Sequence, residues 1–335
     1  MNDTAAAAQA RNTELNEREF RERKLVLEST PQRVFMQLNA PCNADCVFCS
    51  KGTDYPAFSL DEHLQGWGGR LEPAISRARE LILSGSGEFL ALPDAERILE
   101  HFNERFPHVD KYVATNLTHD RPRIWELIAA SRSRYTLQVS LHAATPQTHR
   151  LMTRTKLHPK VLSNLRYLIE QKRKTGNPRL VLMFIMTTLN VEELPDFVRL
   201  GAELGADRVT AGYFYVYEAG QKYLSLYYRP ELANRVIDEA RRVAVELKME
   251  VQLPPKFGEP VPAGSAPDCC PEPWSQIMVN PDGRILPCDV YGDFSESLAR
   301  RSFAEIWNGA AYQEARRALS AGGGCLKTCP RQNPS

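Results

Sequence analysis

The chain of 335 residues carries 42 basic and 41 acidic side chains, a net charge of +1 that leaves no electrostatic footprint for nucleic acid. Hydrophobic residues make up 43% and charged residues 25%, the balance of a globular protein with room for about two domains or one large barrel with an appendage. No stretch reaches the apolar length of a membrane span, and the alanine run at 5–8 lacks the flanks of a signal peptide; a cytoplasmic location with no membrane partner is expected.

Residues 1–30 read as a polar N-terminal arm, loose or forming one helix with few fixed contacts. Short apolar runs then mark strands at 34–38, 81–83, 111–115, 136–140, 180–186 and 208–212. Helical faces alternate with them: Ile98, Leu99 and Phe102; Ile124, Leu127 and Ile128 behind Pro122; Val161, Leu165 and Leu168; Leu194, Phe197 and Val198; Val236, Ile237 and Ala240. Such alternation implies an α/β fold of parallel strands joined by right-handed crossovers. Six units fall short of the eight that close a barrel, and no glycine-rich phosphate turn follows the first strand, as a doubly wound sheet would need. A partial (βα)6 TIM-like barrel over 31–253, open along one side, is the expected fold.

Residues 254–273 hold seven of the 23 prolines and read as a connector. Asn280-Pro281-Asp282-Gly283 then predicts a hairpin between apolar runs, a helix follows over 304–319, and Gly322 to Gly324 stop it. Residues 254–335 are thus expected to form a connector and a small cysteine-rich domain.

The eight cysteines divide unevenly: three at 42–49, five at 269–329 and none between. In a reducing compartment they point to metal ligation or redox chemistry rather than disulfides. Cys42, Cys46 and Cys49, spaced C-x3-C-x2-C directly after the first strand, can hold three corners of an iron–sulfur cube and leave its fourth iron open. A zinc site or unrelated buried cysteines is the plainer reading.

This spacing, with Phe48 just before the third cysteine, resembles the signature of the radical S-adenosylmethionine (SAM) superfamily. Ser86-Gly87-Glu88 after the second strand resembles its Gly-Gly-Glu-like element, with serine for the first glycine, and implies contact with the SAM amino group. The resemblance further implies Asn116 after the third strand, Ser140 facing the ribose, Arg154 for the SAM carboxylate and Phe48 near adenine. Plain alternatives stand beside each: a strand-end cap, a rim residue, a solvated arginine.

The later cysteines resemble the SPASM/twitch extensions of the same superfamily. The Asp-Gly turn lets Cys270 and Cys288 approach each other, and Cys325 and Cys329 lie one helical turn apart. The resemblance implies that these four hold a second, auxiliary [4Fe-4S] cluster; a four-cysteine zinc site is the alternative. Cys269 is left over as a spare thiol, an alternate ligand or, as a catalytic role, a hydrogen-atom donor.

The expected activity is that of an oxidoreductase or transferase-type enzyme. With a SAM-binding [4Fe-4S] cluster and an electron donor such as flavodoxin or ferredoxin, it would cleave SAM to a 5′-deoxyadenosyl radical that takes hydrogen from a substrate. The short arm of 1–30 leaves no room for a leader-binding domain, so a small polar metabolite, such as a sugar-like alcohol in a net oxidation, is favoured over a peptide. The alternatives are a peptide- or protein-modifying enzyme making a cross-link, an epimer or an oxidised side chain, and a non-enzymatic iron–sulfur or zinc scaffold. Tyr213, Phe214, Tyr215 and Tyr217 after the sixth strand are expected to pack a domain interface, the alternative being that they line the open barrel mouth.

Overall fold

The computed structural model describes residues 2–49, 56–259, 269–288 and 296–320. Nine strands form one sheet: β1 (Arg33–Gln37), β2 (Glu80–Ser84), β3 (Asp110–Thr115), β4 (Tyr135–Ser140), β5 (Arg179–Met186), β6 (Arg208–Tyr213), β7 (Val251–Gln252), β8 (Gln276–Val279) and β9 (Ile285–Leu286). Their spatial order is β7-β6-β5-β4-β3-β2-β1-β8-β9. Every pairing is parallel except the β8–β9 hairpin. The helices are α1 (Asn2–Arg21), α2 (Leu60–Gln65), α3 (Gly68–Ile75), α4 (Ala95–Arg105), α5 (Pro122–Ala129), α6 (Pro146–Thr153), α7 (His158–Thr175), α8 (Leu194–Leu204), α9 (Pro230–Leu247), α10 (Glu272–Ser275), α11 (Phe303–Trp307) and α12 (Ala310–Ser320).

The six strands stand within one residue of the apolar runs that predict them, and β1 through β6 with their helices build the partial barrel. Burial alternates along β1, β3 and β4. In β1, Val34 and Met36 are fully buried among helix residues such as Leu71, whereas Phe35 and Gln37 stay half-buried. One face of the sheet therefore packs on helices and the other lines an open interior. Among the described residues no helix is long and apolar enough to cross a membrane.

Two features depart from the sequence reading. The predicted hairpin forms, with Gly283 at φ +79° closing the turn. Its first strand also pairs in parallel with β1, from Arg33↔Gln276 to Met36↔Val279, so the sheet runs across the boundary expected at 254.

The arm is no loose tail. Asn12, Asn16 and Glu19 lie on one face of α1 and are buried. Asn12 Nδ2 donates to the carbonyls of Thr30 (3.0 Å) and Arg77 (3.2 Å). Asn16 Nδ2 donates to Trp274 O at 2.6 Å. Glu19 accepts from Glu28 N, Ser29 N and Ser29 Oγ. Thr30, Arg77 and Trp274 precede β1, β2 and β8, so α1 closes the N-terminal end of the sheet. The contacts expected to be few were hidden because they are polar.

Candidate functional site

The C-terminal ends of β1 to β4 open into a cleft of about 850 Å³. The loop after β1 forms one wall and turns Cys42, Cys46, Phe48 and Cys49 toward it. The loop is fastened on two sides. Asp45 N and Val47 N donate to Thr153 O and Met152 O at the end of α6, while Ala40 N donates to Ser86 O and Glu88 N to Pro41 O. The Cys46 thiol is pushed up to about 12, first by burial and then by the charges of Cys49 and Cys42, and burial also raises that of Cys42. Bare thiols this close oppose one another's ionisation, and a cationic metal centre reverses that balance. Among the described residues no three His, Cys, Asp or Glu side chains converge on one ion. The three thiols line one cleft and sense each other's charge, and three thiolates are a donor set that fits an iron–sulfur group.

The loop after β2 lies against the exit of β1. Gly87 has φ +101°, and a Cβ there would stand 1.8 Å from Ala40 O; one at Gly85 would stand 2.7 Å from Leu38 N. The small residues are needed for close approach to the protein's own cysteine loop as much as to any ligand. Ser86 N donates to Asn39 Oδ1 at 3.0 Å.

Glu88 borders the cleft but is 2% exposed. Its Oε1 accepts from Leu90 N at 3.0 Å and from Thr115 Oγ1, and its Oε2 from Asn116 N at 2.6 Å. Burial raises its pKa, against the lowering effect of those three bonds. The carboxylate expected to meet the SAM ammonium is thus largely committed to tying the end of β2 to the end of β3. Asn116 stands beside the triad: its Nδ2 donates to Asn43 Oδ1 at 2.9 Å and comes within 3.9 Å of Cys42 Sγ.

Ser140 also lines the cleft, as do His142, which the sequence places at the barrel rim beyond Ser140 without a catalytic role, and His149, which the sequence reading passed over. His142 has φ +59° and stacks edge-on against Phe48, ring centroids 4.6 Å apart. Burial, followed by the neighbouring His149, pulls its pKa down to about 3, so the ring is neutral. Its Nδ1 accepts from Ile185 N at 3.1 Å, which leaves the proton on Nε2 as a fixed donor. Its place two residues beyond Ser140, at a barrel strand end, is the signal by which the sequence shows it.

Arg154 does not line the cleft. It caps α6 at φ +56° and pairs with Asp45 Oδ2 at 2.7 Å, because Asp45 on the cysteine loop offers a carboxylate first. Cys269 is buried and away from the cleft. It precedes β8, which runs parallel to β1, so it lies toward the opposite end of the sheet, where Arg23 Nη1 donates to its Sγ at 2.8 Å. That placement separates Cys269 from a substrate radical formed in the cleft and speaks against hydrogen-atom donation. Cys270 is half-buried at the same end, and Cys288 is buried just after β9. Cys325 and Cys329 lie outside the described residues.

The family model for the radical SAM superfamily matches residues 40–201, and that for the SPASM iron–sulfur cluster-binding domain matches 269–331. The chain belongs to the radical SAM superfamily. Its cofactors are accordingly SAM, a SAM-binding [4Fe-4S] cluster and an auxiliary [4Fe-4S] cluster. This radical SAM protein is 25% identical over 288 residues to the PqqA peptide cyclase of Xanthomonas campestris pv. campestris (strain B100), covering 83% of this chain and 73% of that one. To the PqqA peptide cyclase of Gluconobacter oxydans (strain 621H) it is 24% identical over 295 residues, 85% and 78% of the two chains. Streptococcus suis SuiB bound to its precursor peptide SuiA shares the fold, with a TM-score of 0.70, 14% identity and coverage of 95% and 75%.

These relatives overturn the preference for a small-molecule substrate over a peptide. That preference rested on the length of residues 1–30, which the fold uses to close the sheet. Enzymes named for a peptide match across 83% of the same chain.

Proposed function

We propose that this radical SAM enzyme modifies a peptide or protein, by cross-linking, epimerisation or side-chain oxidation. The observation that carries the reading is the match to PqqA peptide cyclases over 83% of the chain. The segment after β6 supports it. After β6, Phe214 is buried and Tyr213 packs on Phe257, but Tyr217, Tyr223, Tyr227 and Tyr228 are 56%, 61%, 54% and 66% exposed. Gln221 Nε2 joins this segment to the cysteine loop by donating to Val47 O at 3.3 Å. Exposed tyrosines on a segment bonded to the cysteine loop suit the side chains of an extended peptide more than a small metabolite.

Cys42, Cys46 and Cys49 would hold the SAM-binding cluster, and Cys270 and Cys288, with Cys325 and Cys329, the auxiliary one. Bound together, SAM and its cluster supply a 5′-deoxyadenosyl radical. The chain's own contribution is placement. Ser86 and Gly87 would offer backbone, Phe48 a ring face, and Asn116 and Ser140 polar side chains to SAM, and Nε2 of His142 would be a donor for a bound group in the cleft. Glu88 fixes the spacing of β2 and β3, and Arg154 steadies the cysteine loop through Asp45.

The test is anaerobic reconstitution with reductant and SAM, followed by incubation with deuterated peptides encoded beside the enzyme's gene. The expected outcome is a peptide of altered mass together with deuterium in 5′-deoxyadenosine. Deuterium transfer from a sugar alcohol alone, with every peptide unchanged, would sink the reading.

A further inference from the structure

His149 on α6 lines the cleft although its surface is almost wholly buried. One turn on, the hydroxyl of Thr153 donates to His149 O at 2.8 Å. In the contact of 3.3 Å between Thr153 Oγ1 and His149 Nδ1 the hydroxyl oxygen therefore accepts and the ring N–H donates. The proton of the neutral ring sits on Nδ1, and Nε2 keeps its lone pair. His142, with its proton on Nε2, is the opposite tautomer. Burial, followed by the neighbouring His158, lowers the pKa of His149 to about 4, so the ring is in its base form at neutral pH.

Behind His149 stands another imidazole. His158, at the first position of α7, packs edge-on against it with ring centroids 5.3 Å apart. It is 2% exposed, and neither ring nitrogen has a hydrogen-bond partner. A buried polar side chain left without partners is disfavoured and calls for a reason. Burial lowers the pKa of His158; Ala143 O, near the ring but outside hydrogen-bonding geometry, and Glu193 act to raise it. Glu193 is held in place by accepting from Ala144 N at 2.8 Å, Thr145 N at 3.2 Å and Thr145 Oγ1 at 2.6 Å. The groups whose charges act on the pair are His142, from the loop after β4, and Glu193, just before α8. A row thus leads out of the cleft: a lone pair on His149, an imidazole with two unused nitrogens, and a carboxylate that favours the charged ring. Imidazoles in such a row pass protons.

We propose that His149 accepts the proton that a peptide substrate releases in the cleft, and that His158 carries it onward toward Glu193. The proposal rests on the peptide reading and narrows it. Cross-linking and side-chain oxidation each release a proton, whereas epimerisation returns a hydrogen atom and releases none. Once a substrate carbon has given its hydrogen atom to the 5′-deoxyadenosyl radical, that carbon and a neighbouring X–H bond hold three electrons between them. Two form the new bond between carbon and X, and the third reduces an oxidised [4Fe-4S] cluster of the enzyme. The proton goes to Nε2 of His149.

The test uses the reconstituted holoenzyme with reductant, SAM and the deuterated peptides encoded beside its gene. His149→Gln should still pass deuterium to 5′-deoxyadenosine, while the yield of modified peptide per 5′-deoxyadenosine falls about 100-fold. The recovered peptide should gain protium where it was deuterated, because a carbon radical that cannot lose the proton takes hydrogen back. Added imidazole should restore part of the yield. The variant's yield should climb with pH, whereas that of the wild type, whose base is free well above pH 4, stays level. A variant that modifies peptide as fully as the wild type overturns the proposal, as does one that loses deuterium transfer along with modification and is not rescued. A wild-type product that is an epimer overturns it too. A wild type that takes no deuterium from any peptide removes the peptide reading and this proposal together. Should His149→Gln fail to hold iron, His158→Gln decides: a lost yield with deuterium transfer kept sustains the proposal, and an unchanged yield ends it.

Discussion

At the N-terminal end of the sheet, Asn12, Asn16 and Glu19 bury their polar atoms against backbone and side chains, and α1 packs across it. At the C-terminal end, the same strands stop at small or polar residues, Ser84, Thr115 and Ser140 among them, around a cleft of about 850 Å³. One end spends its hydrogen-bonding groups on closure; the other holds thiols and imidazoles in place for a ligand. Stability and chemistry are therefore separable in this molecule, and substitutions can test how cleanly.

The largest effect is expected at Gly87. Gly87→Ala drives a Cβ into Ala40 O and strains a φ of +101°, so the cysteine loop loses its seat. Formation of 5′-deoxyadenosine should fall to background and bound iron by about half, with the auxiliary cluster kept. Iron retained in full would mean that the loop is not held from this side.

Acid comes next. The folded pKa of His142 is near 3, below its ordinary value of 6.5, so the unfolded chain binds more protons between those limits. Its contribution to stability is present above pH 6.5 and is lost as the pH falls toward 3, at up to about 1.4 kcal/mol per pH unit. His149 acts in the same direction. Denaturant unfolding at stepped pH should show this slope, and His142→Gln should flatten it. An unchanged slope in that variant would place the acid sensitivity elsewhere.

A smaller effect is expected at the closed end. Asn16→Ala strands Trp274 O and should cost about 1–3 kcal/mol in unfolding free energy, with little change in turnover well below the melting temperature. A matching loss of turnover would break the separation of the two ends.

The smallest belongs to Arg154→Gln. Its ion pair with Asp45 is exposed on both sides, and removing it should cost less than about 1 kcal/mol and weaken SAM binding only slightly. A large rise in the SAM dissociation constant would restore a direct role for Arg154.

The sequence was legible where information is local. Apolar runs marked all six barrel strands, and the spacing of Cys42, Cys46 and Cys49 marked the triad. What it concealed is carried by contacts between distant residues. The pairing of β8 with β1 joins Gln276 to Arg33 across the length of the chain, and no periodicity records it. The docking of α1 is polar, so a search for apolar stripes sees only a charged arm. Glu88 was legible by position, but its bonds to Thr115 and Asn116 depend on how the two strand ends meet. Arg154 and Asp45, 109 residues apart, find each other only once α6 lies beside the cysteine loop.

The continuous pairing of β1 with β8 also makes the sheet a ruler. The cysteine triad leaves the C-terminal end of β1, whereas Cys270 leads into the N-terminal end of β8 in the same register. The five residues of β1 span roughly 17 Å at about 3.3 Å each. An extended, hydrogen-bonded strand neither stretches nor shortens when a cleft opens or closes. The interval between the cysteine loop after β1 and Cys270 before β8 is thus cut to length in the backbone.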